Sequence, residues 1–128
     1  MKTLIYLADS KKLVEKDVDD ISLDFLQSQV GGYIEITYID YLEENGIDVF
    51  CNEEGKLLGL LHSAYLLDNN DTIYDVIAGN MVFCSHDEDG ESIGLTDEQI
   101  KVIEDIFTRY IYASYGYLPY IKYNGKYN

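Results

Sequence analysis

The sequence predicts an α+β fold: an antiparallel β-sheet, built as a meander, with a short early helix and a longer late one packed on it. Three observations carry that expectation. In YIEITYID, Tyr33 to Asp40, the residues Ile34, Ile36 and Tyr38 alternate with Glu35, Thr37 and Ile39, the period of two that a strand requires. Asn45-Gly46 follows, and because both residues tolerate positive φ the pair signals a tight hairpin. Near the end, Thr96 and Gln99 form a capping box, and Asp97 and Glu98 suit the positive end of a helix dipole. Ile100, Ile103, Phe107, Tyr110 and Ile111 then recur at helical spacing, which predicts a helix running on to Gly116.

The remaining elements follow in order. Thr3 to Leu7 reads as an apolar strand, and Asp9 to Asp20 as a charged linker. Ser22 is a good N-cap for a helix over Leu23 to Val30, with Phe25, Leu26 and Val30 on one face and Gly31-Gly32 as its stop. Beyond the hairpin, Ile47 to Cys51 is a strand with Ile47, Val49 and Cys51 towards the core and Asp48 and Phe50 on the other face. Asn52-Glu53-Glu54-Gly55 has turn chemistry, and Lys56-Leu57-Leu58 is expected to resume as the third strand of the meander. Ser63 to Leu67 is read as a helical turn closed by the polar loop Asp68 to Asp71. Thr72 to Ile77 and Met81 to Ser85 are strand-like pieces broken by Gly79-Asn80, and His86 to Ser92 is an acidic loop. Residues 114–128 form a tyrosine-rich C-terminal tail that holds the only proline. No repeat or low-complexity linker divides the chain, so 1–128 is expected to be a single domain.

A chain of 128 residues buries roughly two thirds of the surface its unfolded form exposes, enough to fold without metal or disulfide. The start, MKTLIYLADSKK, holds five apolar residues before Asp9, too few for a signal-peptide core or a membrane span. A location in the cytoplasm of the cell that makes it is therefore expected. Cys51 and Cys84 make no disulfide framework and should be free thiols there.

Charge is the first outlier. The net charge is −15, and between Asp17 and Ile100 a single base, Lys56, stands against twenty acids. Such a balance repels nucleic acid and anionic membrane, because nucleic-acid affinity rests mainly on neutralising phosphates. It reads either as plain solubility or as a surface that competes for another protein's DNA-binding groove.

The reactive residues point away from catalysis. Cys51, His62, Cys84 and His86 match no zinc-site spacing. In the loop Asp87-Glu88-Asp89-Gly90-Glu91, aligning Gly90 with the glycine of a calcium loop puts Ser85 and Thr96 where carboxylates are required. Cys84 and His86 share a strand face but stand too far apart for a direct thiol–imidazole bond. No phosphate-binding glycine loop or hydrolase motif is present. No catalytic residue, metal or cofactor is assigned, and a non-enzymatic role is expected.

Tyrosine is the second outlier. Of thirteen, seven lie after Arg109, in a stretch without acids. Tyr112, Tyr115, Tyr117, Tyr120 and Tyr123 are read as rings packed across the sheet, along a homodimer seam, or at an aromatic interface, since tyrosine is a frequent hot-spot residue. Stacking on a nucleobase is a further reading.

Three fragments, LQSQVGGYIEI, VFCNEEGKLLGL and DVIAGNMVF with the later LTDEQI, resemble a family of small proteins carried by phages and conjugative elements of Gram-positive bacteria. That family is catalogued as a domain of unknown function. The resemblance spans roughly Leu26 to Ile100, is most specific at VGGYIE and NEEGKL, and leaves the start and the tyrosine tail outside. It implies no active site, but it does imply an accessory protein of a mobile element, in a family often placed near antirestriction genes.

Charge and resemblance together lead to one expectation: a non-enzymatic anti-defence protein that inhibits a host CRISPR or restriction nuclease through an acidic, DNA-mimic-like surface. The expected partner is a host defence protein with a basic nucleic-acid-binding surface, with no direct contact to nucleic acid or membrane. The expected contact residues are Asp40, Glu43, Glu44, Asp48, Glu53 and Glu54 at the meander's loops, and Asp87, Glu88, Asp89 and Glu91 in the later loop. The alternative is a sponge that sequesters a nucleotide immune signal in a tyrosine-lined oligomeric pocket.

Overall fold

In the computed structural model, which describes residues 1–127, the chain forms two β-sheets and three helices. The order is β1 (Lys2–Leu7), β2 (Lys12–Asp17), α1 (Leu23–Val30), β3 (Ile34–Ile36), α2 (Asp40–Glu44), β4 (Ile47–Asn52), β5 (His62–Leu67), β6 (Ile73–Ala78), β7 (Met81–His86), β8 (Ser92–Ile93), α3 (Asp97–Ile106), β9 (Tyr110–Ala113) and β10 (Gly116–Lys122). The larger sheet runs β2-β1-β7-β4-β3, with β8 paired to β7, and the smaller runs β6-β5-β10-β9. All pairings are antiparallel except that of β10 with β5.

Strand alternation decides what each face of the larger sheet meets. Leu4 and Tyr6 on β1, Ile47, Val49 and Cys51 on β4, and Met81 and Phe83 on β7 point inward. There they meet Ile100, Ile103 and Ile106 of α3, Leu42 of α2, and Ala64, Leu66, Ile77 and Ile121 of the smaller sheet. Ile5, Phe50, Val82 and Cys84 point the other way, onto Leu26 and Val30 of α1. The larger sheet is thus covered on both faces, which makes β1, β4 and β7 nearly continuous apolar runs. A third cluster, Tyr65, Leu67, Val76 and Leu118, lies on the smaller sheet's other face.

The helix signals act as expected. Ser22 caps α1, its hydroxyl accepting from the Phe25 N–H at 3.1 Å, and Gly31 ends it with φ of 78°. Thr96 and Gln99 close the reciprocal capping box of α3. The expected α+β class, with a short early helix and a longer late one on the sheet, is the class observed.

Several local expectations are corrected. Residues 9–20 are no plain linker, because they contain β2, whose exposed lysines and acids disguise an edge strand. The strand expected over Tyr33 to Asp40 ends at Ile36, and Asp40 opens the five-residue α2. Lys56-Leu57-Leu58 is a run of turns, with Leu57 87% and Leu58 58% exposed, so β4 is flanked by β3 and β7 instead of a third meander strand. Ser63 to Leu67 lies in β5, whose residues are buried from Ser63 onward, and so shows no strand alternation in its polarity. The late helix stops at Ile106, with Phe107 as its C-cap, and Tyr110 to Ala113 is a strand instead.

Candidate acidic interface

Asn45-Gly46 makes no tight hairpin, because it joins α2 to β4 with Asn45 at φ of −96° and only Gly46 at positive φ, and this corner brings most of the expected acidic residues to one end of the larger sheet. Ile47 pairs with Ser85, so the start of β4 lies beside the end of β7 and the loop that follows it. The Ser85 hydroxyl donates to the Gly46 carbonyl at 2.7 Å, and the Gln99 side chain donates to the Asn45 carbonyl at 2.9 Å. These two bonds fasten the α2–β4 corner, the end of β7 and the first turn of α3 to one another. Glu43 and Glu44 are exposed on α2, and Asp40 opens that helix with its neighbour Tyr41 donating a backbone bond to Tyr123. Glu88, Asp89 and Glu91 are exposed on the loop between β7 and β8.

That loop has a defined shape. The Asp87 carboxylate accepts the Asp89 and Glu91 N–H groups at 2.9 and 3.0 Å, and Gly90 takes a positive φ of 81°. Asp87 therefore serves largely as an internal acceptor, while its three acidic neighbours face solvent. Asp48, half-buried on the α1-facing side of β4, accepts a bond from or pairs with His86 Nδ1 at 3.0 Å. Asp97 and Glu98 in the first turn of α3 extend the same acidic end, with Lys2 reaching Asp97 at 3.4 Å and Lys101 one turn further along.

Glu53 and Glu54 are not part of this group. They follow β4 at its far end, about 17 Å from Asp48 at the usual strand rise of about 3.3 Å per residue. The Glu54 N–H donates to the Asn52 side chain at 2.8 Å, which holds the turn. The sequence placed all ten acids in two loop sets; the structure regroups them into eight at one end and two at the other. Asp97 and Glu98 were read for helix capping alone, and only the contacts of Gln99 reveal that they join the first group.

The thiols are poor nucleophiles where they stand. Cys51 is buried, and its Sγ lies 3.3 Å from Thr37 Oγ1 in a cleft of about 100 Å³ between the two sheets. Burial pushes its pKa up, and Glu35 adds to that. Cys84 is fully buried, and burial, followed by the nearby Asp48 charge, pushes it up to about 12. Among the described residues, no three His, Cys, Asp or Glu side chains converge in an arrangement that could hold a metal ion.

The tyrosines do not line one pocket. Tyr112, Tyr115 and Tyr117 are exposed, and Tyr115 stacks on His62 with centroids 3.8 Å apart. Tyr120 packs on Tyr127, whereas Tyr123 meets the edge of Tyr74. Tyr120 and Tyr123 border separate hollows of about 150 and 320 Å³. A hollow of about 330 Å³ lies between the β1–β2 turn, the end of α1 and Leu60-Leu61, and no Lys, Arg or His lines it.

No helix among the described residues is long and apolar enough to cross a membrane. A family model described as a domain of unknown function (DUF3846) matches residues 1–108, so the match takes in the start of the chain as well as the three sequence fragments noted above. No curated protein and no solved structure matches the chain.

Proposed function

The chain belongs to the DUF3846 family, a domain of unknown function, and on that premise we propose that it is a non-enzymatic, cytoplasmic anti-defence protein of a phage or mobile element. It acts by docking its acidic end on the basic nucleic-acid-binding surface of a host CRISPR or restriction nuclease. The observation that carries this reading is the convergence of α2, the start of β4, the β7–β8 loop and the first turn of α3 at one place. These elements bring exposed carboxylates together on a scaffold fixed by hydrogen bonds, so little ordering is lost on binding. Duplex DNA presents about one negative charge per 1.7 Å of axis, and a basic channel built for that density attracts an acidic protein end by the same long-range field. The nucleotide-sponge alternative draws less support, because the five tyrosines are dispersed, the hollow beside Leu60-Leu61 lacks a cation for phosphate, and Lys122 in the Tyr120 hollow is ion-paired with Asp71.

The test is a pull-down of the tagged protein from host lysate, washed at low and then high salt, followed by an assay of the captured nuclease. The reading expects a nuclease or other DNA-binding protein that salt releases. Reversal of Glu43, Glu88 and Asp89 to lysine should abolish capture, while reversal of Glu53 and Glu54 should leave it nearly intact. Capture and inhibition that survive the first reversal would overturn the proposal. A rise in melting temperature with a nucleotide, and no protein partner, would favour the sponge.

A further inference from the structure

We propose that the open edge of β9 is a self-association surface, at which β9 of a second copy of this chain pairs antiparallel across a two-fold axis. The two four-stranded sheets then become one continuous sheet. This inference does not depend on what the acidic end binds.

Among the described residues the outer strands are β2, β3 and the two-residue β8, which pairs only with β7, in one sheet, and β6 and β9 in the other. An outer strand presents unpaired backbone groups, and proteins that stay monomeric blunt such edges with charge, irregularity or brevity. β2 carries Lys12, Glu15, Lys16 and Asp17. β3 is three residues long with Glu35 at its centre. β6 is irregular in its register with β5 and carries Asp75, ion-paired with Lys56. β9, Tyr-Ile-Tyr-Ala, has no charge, and its register with β10 is unbroken. β8 is only two residues long, so among the described strands the other edges are guarded and this one is not.

The register shows which groups the edge offers. The Tyr120 N–H donates to the Arg109 carbonyl at 3.3 Å, so by antiparallel alternation Ile111 also bonds to β10, opposite Leu118. Tyr110 and Tyr112, opposite Pro119 and Tyr117, then direct their N–H and C=O groups away from β10. Pairing Tyr110 with Tyr112 of a second copy, and Tyr112 with its Tyr110, uses all of these groups in four hydrogen bonds. Ile111 then faces its own counterpart on the axis. In that register the tyrosine rings of the two copies become cross-strand neighbours on one face, an arrangement that stabilises sheets. Tyr112 is 82% exposed in the single chain and is free to make that contact.

A second copy supplies a matching strand in this register that carries no charge of its own, and Asp71, the acid that lines a hollow with Ile111, is ion-paired with Lys122. The acidic end lies at the opposite end of α3, a ten-residue helix about 15 Å long, so joining at β9 keeps the two acidic ends apart.

The experiment is sedimentation equilibrium of the full chain at low and high salt. The proposal expects a particle of twice the 14.7 kDa chain mass, with the dimer strengthened by salt as the repulsion between copies is screened. Tyr112→Lys should halve the mass while the circular dichroism spectrum of the fold stays unchanged, and should remove any dependence of the melting temperature on protein concentration. Tyr112→Pro, which removes only an edge-facing N–H, should also weaken the dimer. A monomer under both salt conditions would overturn the proposal, as would a dimer that salt dissociates, which would mean acid-to-cation contact. A dimer intact in both variants would place the interface elsewhere and overturn it equally.

Discussion

Tyr6 carries the one buried side-chain polar atom without a well-formed hydrogen bond among the described residues, the Tyr110 phenol beside it making a marginal contact only, and Tyr6→Phe tests what that atom does to stability. The ring is 1% exposed and stacks on Phe107 at 4.7 Å with an interplanar angle of 17°. Phenylalanine keeps the ring, the stack and nearly all of the volume. A buried hydroxyl left unpaired costs about 1–3 kcal/mol, so its removal should stabilise the protein by about 1 kcal/mol after the small loss of oxygen contacts. For a domain of this size that is a rise in melting temperature of about 3–5 °C. Burial, and then the neighbouring Tyr110 phenol, raise the Tyr6 pKa above its ordinary value of 10.0. The folded state therefore holds that proton where the unfolded chain has begun to lose it. The stability from the neutral phenol is complete below pH 10 and declines as pH rises beyond it, and phenylalanine has no such decline. Urea denaturation of both proteins at neutral pH and near pH 10.5 should show a difference in favour of Tyr6→Phe that widens at the higher pH. A loss of stability at neutral pH would refute the reasoning, since it would mean that the hydroxyl contributes a satisfied hydrogen bond.

Thr96→Ala removes the hydroxyl that accepts the Gln99 N–H at 3.2 Å, and should destabilise the fold by about 1 kcal/mol in the same assay. Gly55→Ala would place a Cβ 2.5 Å from the Ala78 carbonyl oxygen, so a loss of about 1–3 kcal/mol is expected, with a correspondingly lower urea midpoint. Cys51 and Cys84 should resist a thiol reagent at neutral pH and react fully once the protein is unfolded in urea. Because Cys84 is held protonated up to about 12 against an ordinary value of 9.0, its contribution to stability is complete below pH 9 and falls between the two values. Cys84→Ala should therefore flatten the alkaline unfolding curve in that interval.

What the sequence revealed follows from where local chemistry and burial agree. α1 was legible to the residue because Ser22 and Gly31 do at its ends what those residues do in short peptides. The facing of Ile47, Val49 and Cys51 was legible because Asp48 interrupts them. β5 was not, since HSAYLL is buried on both sides, and a short run with no polar side has no readable period. The stretch after Ile106 misled for a related reason. When Tyr or Ile occupies nearly every second position, a helical stripe and a strand alternation fit equally well, and pairing with β10 decides between them. As for the acidic end, the acids were visible as loops, but their grouping depends on the Ile47–Ser85 register and the Gln99 bonds, which are long-range contacts. The sequence could propose carboxylates but could not rank Glu53 apart from Glu88.

β10 follows every other strand of the described residues in the sequence, yet it fills the middle of the smaller sheet, laid parallel against β5 with Tyr120 beside Tyr65. Ile121, fully buried, completes the central core, and Leu118 completes the outer cluster. As the chain emerges from the ribosome, β5 and β6 can join, but the far edge of β5 stays open until residues 116–122 have followed. Such sequence-distant pairing is slow to form. A product of stalled translation, or one trimmed by a protease before Pro119, would be an unfinished sheet with an apolar seam, ready for degradation or aggregation. The arrangement makes the arrival of residues 116–122 a condition for closing the smaller sheet.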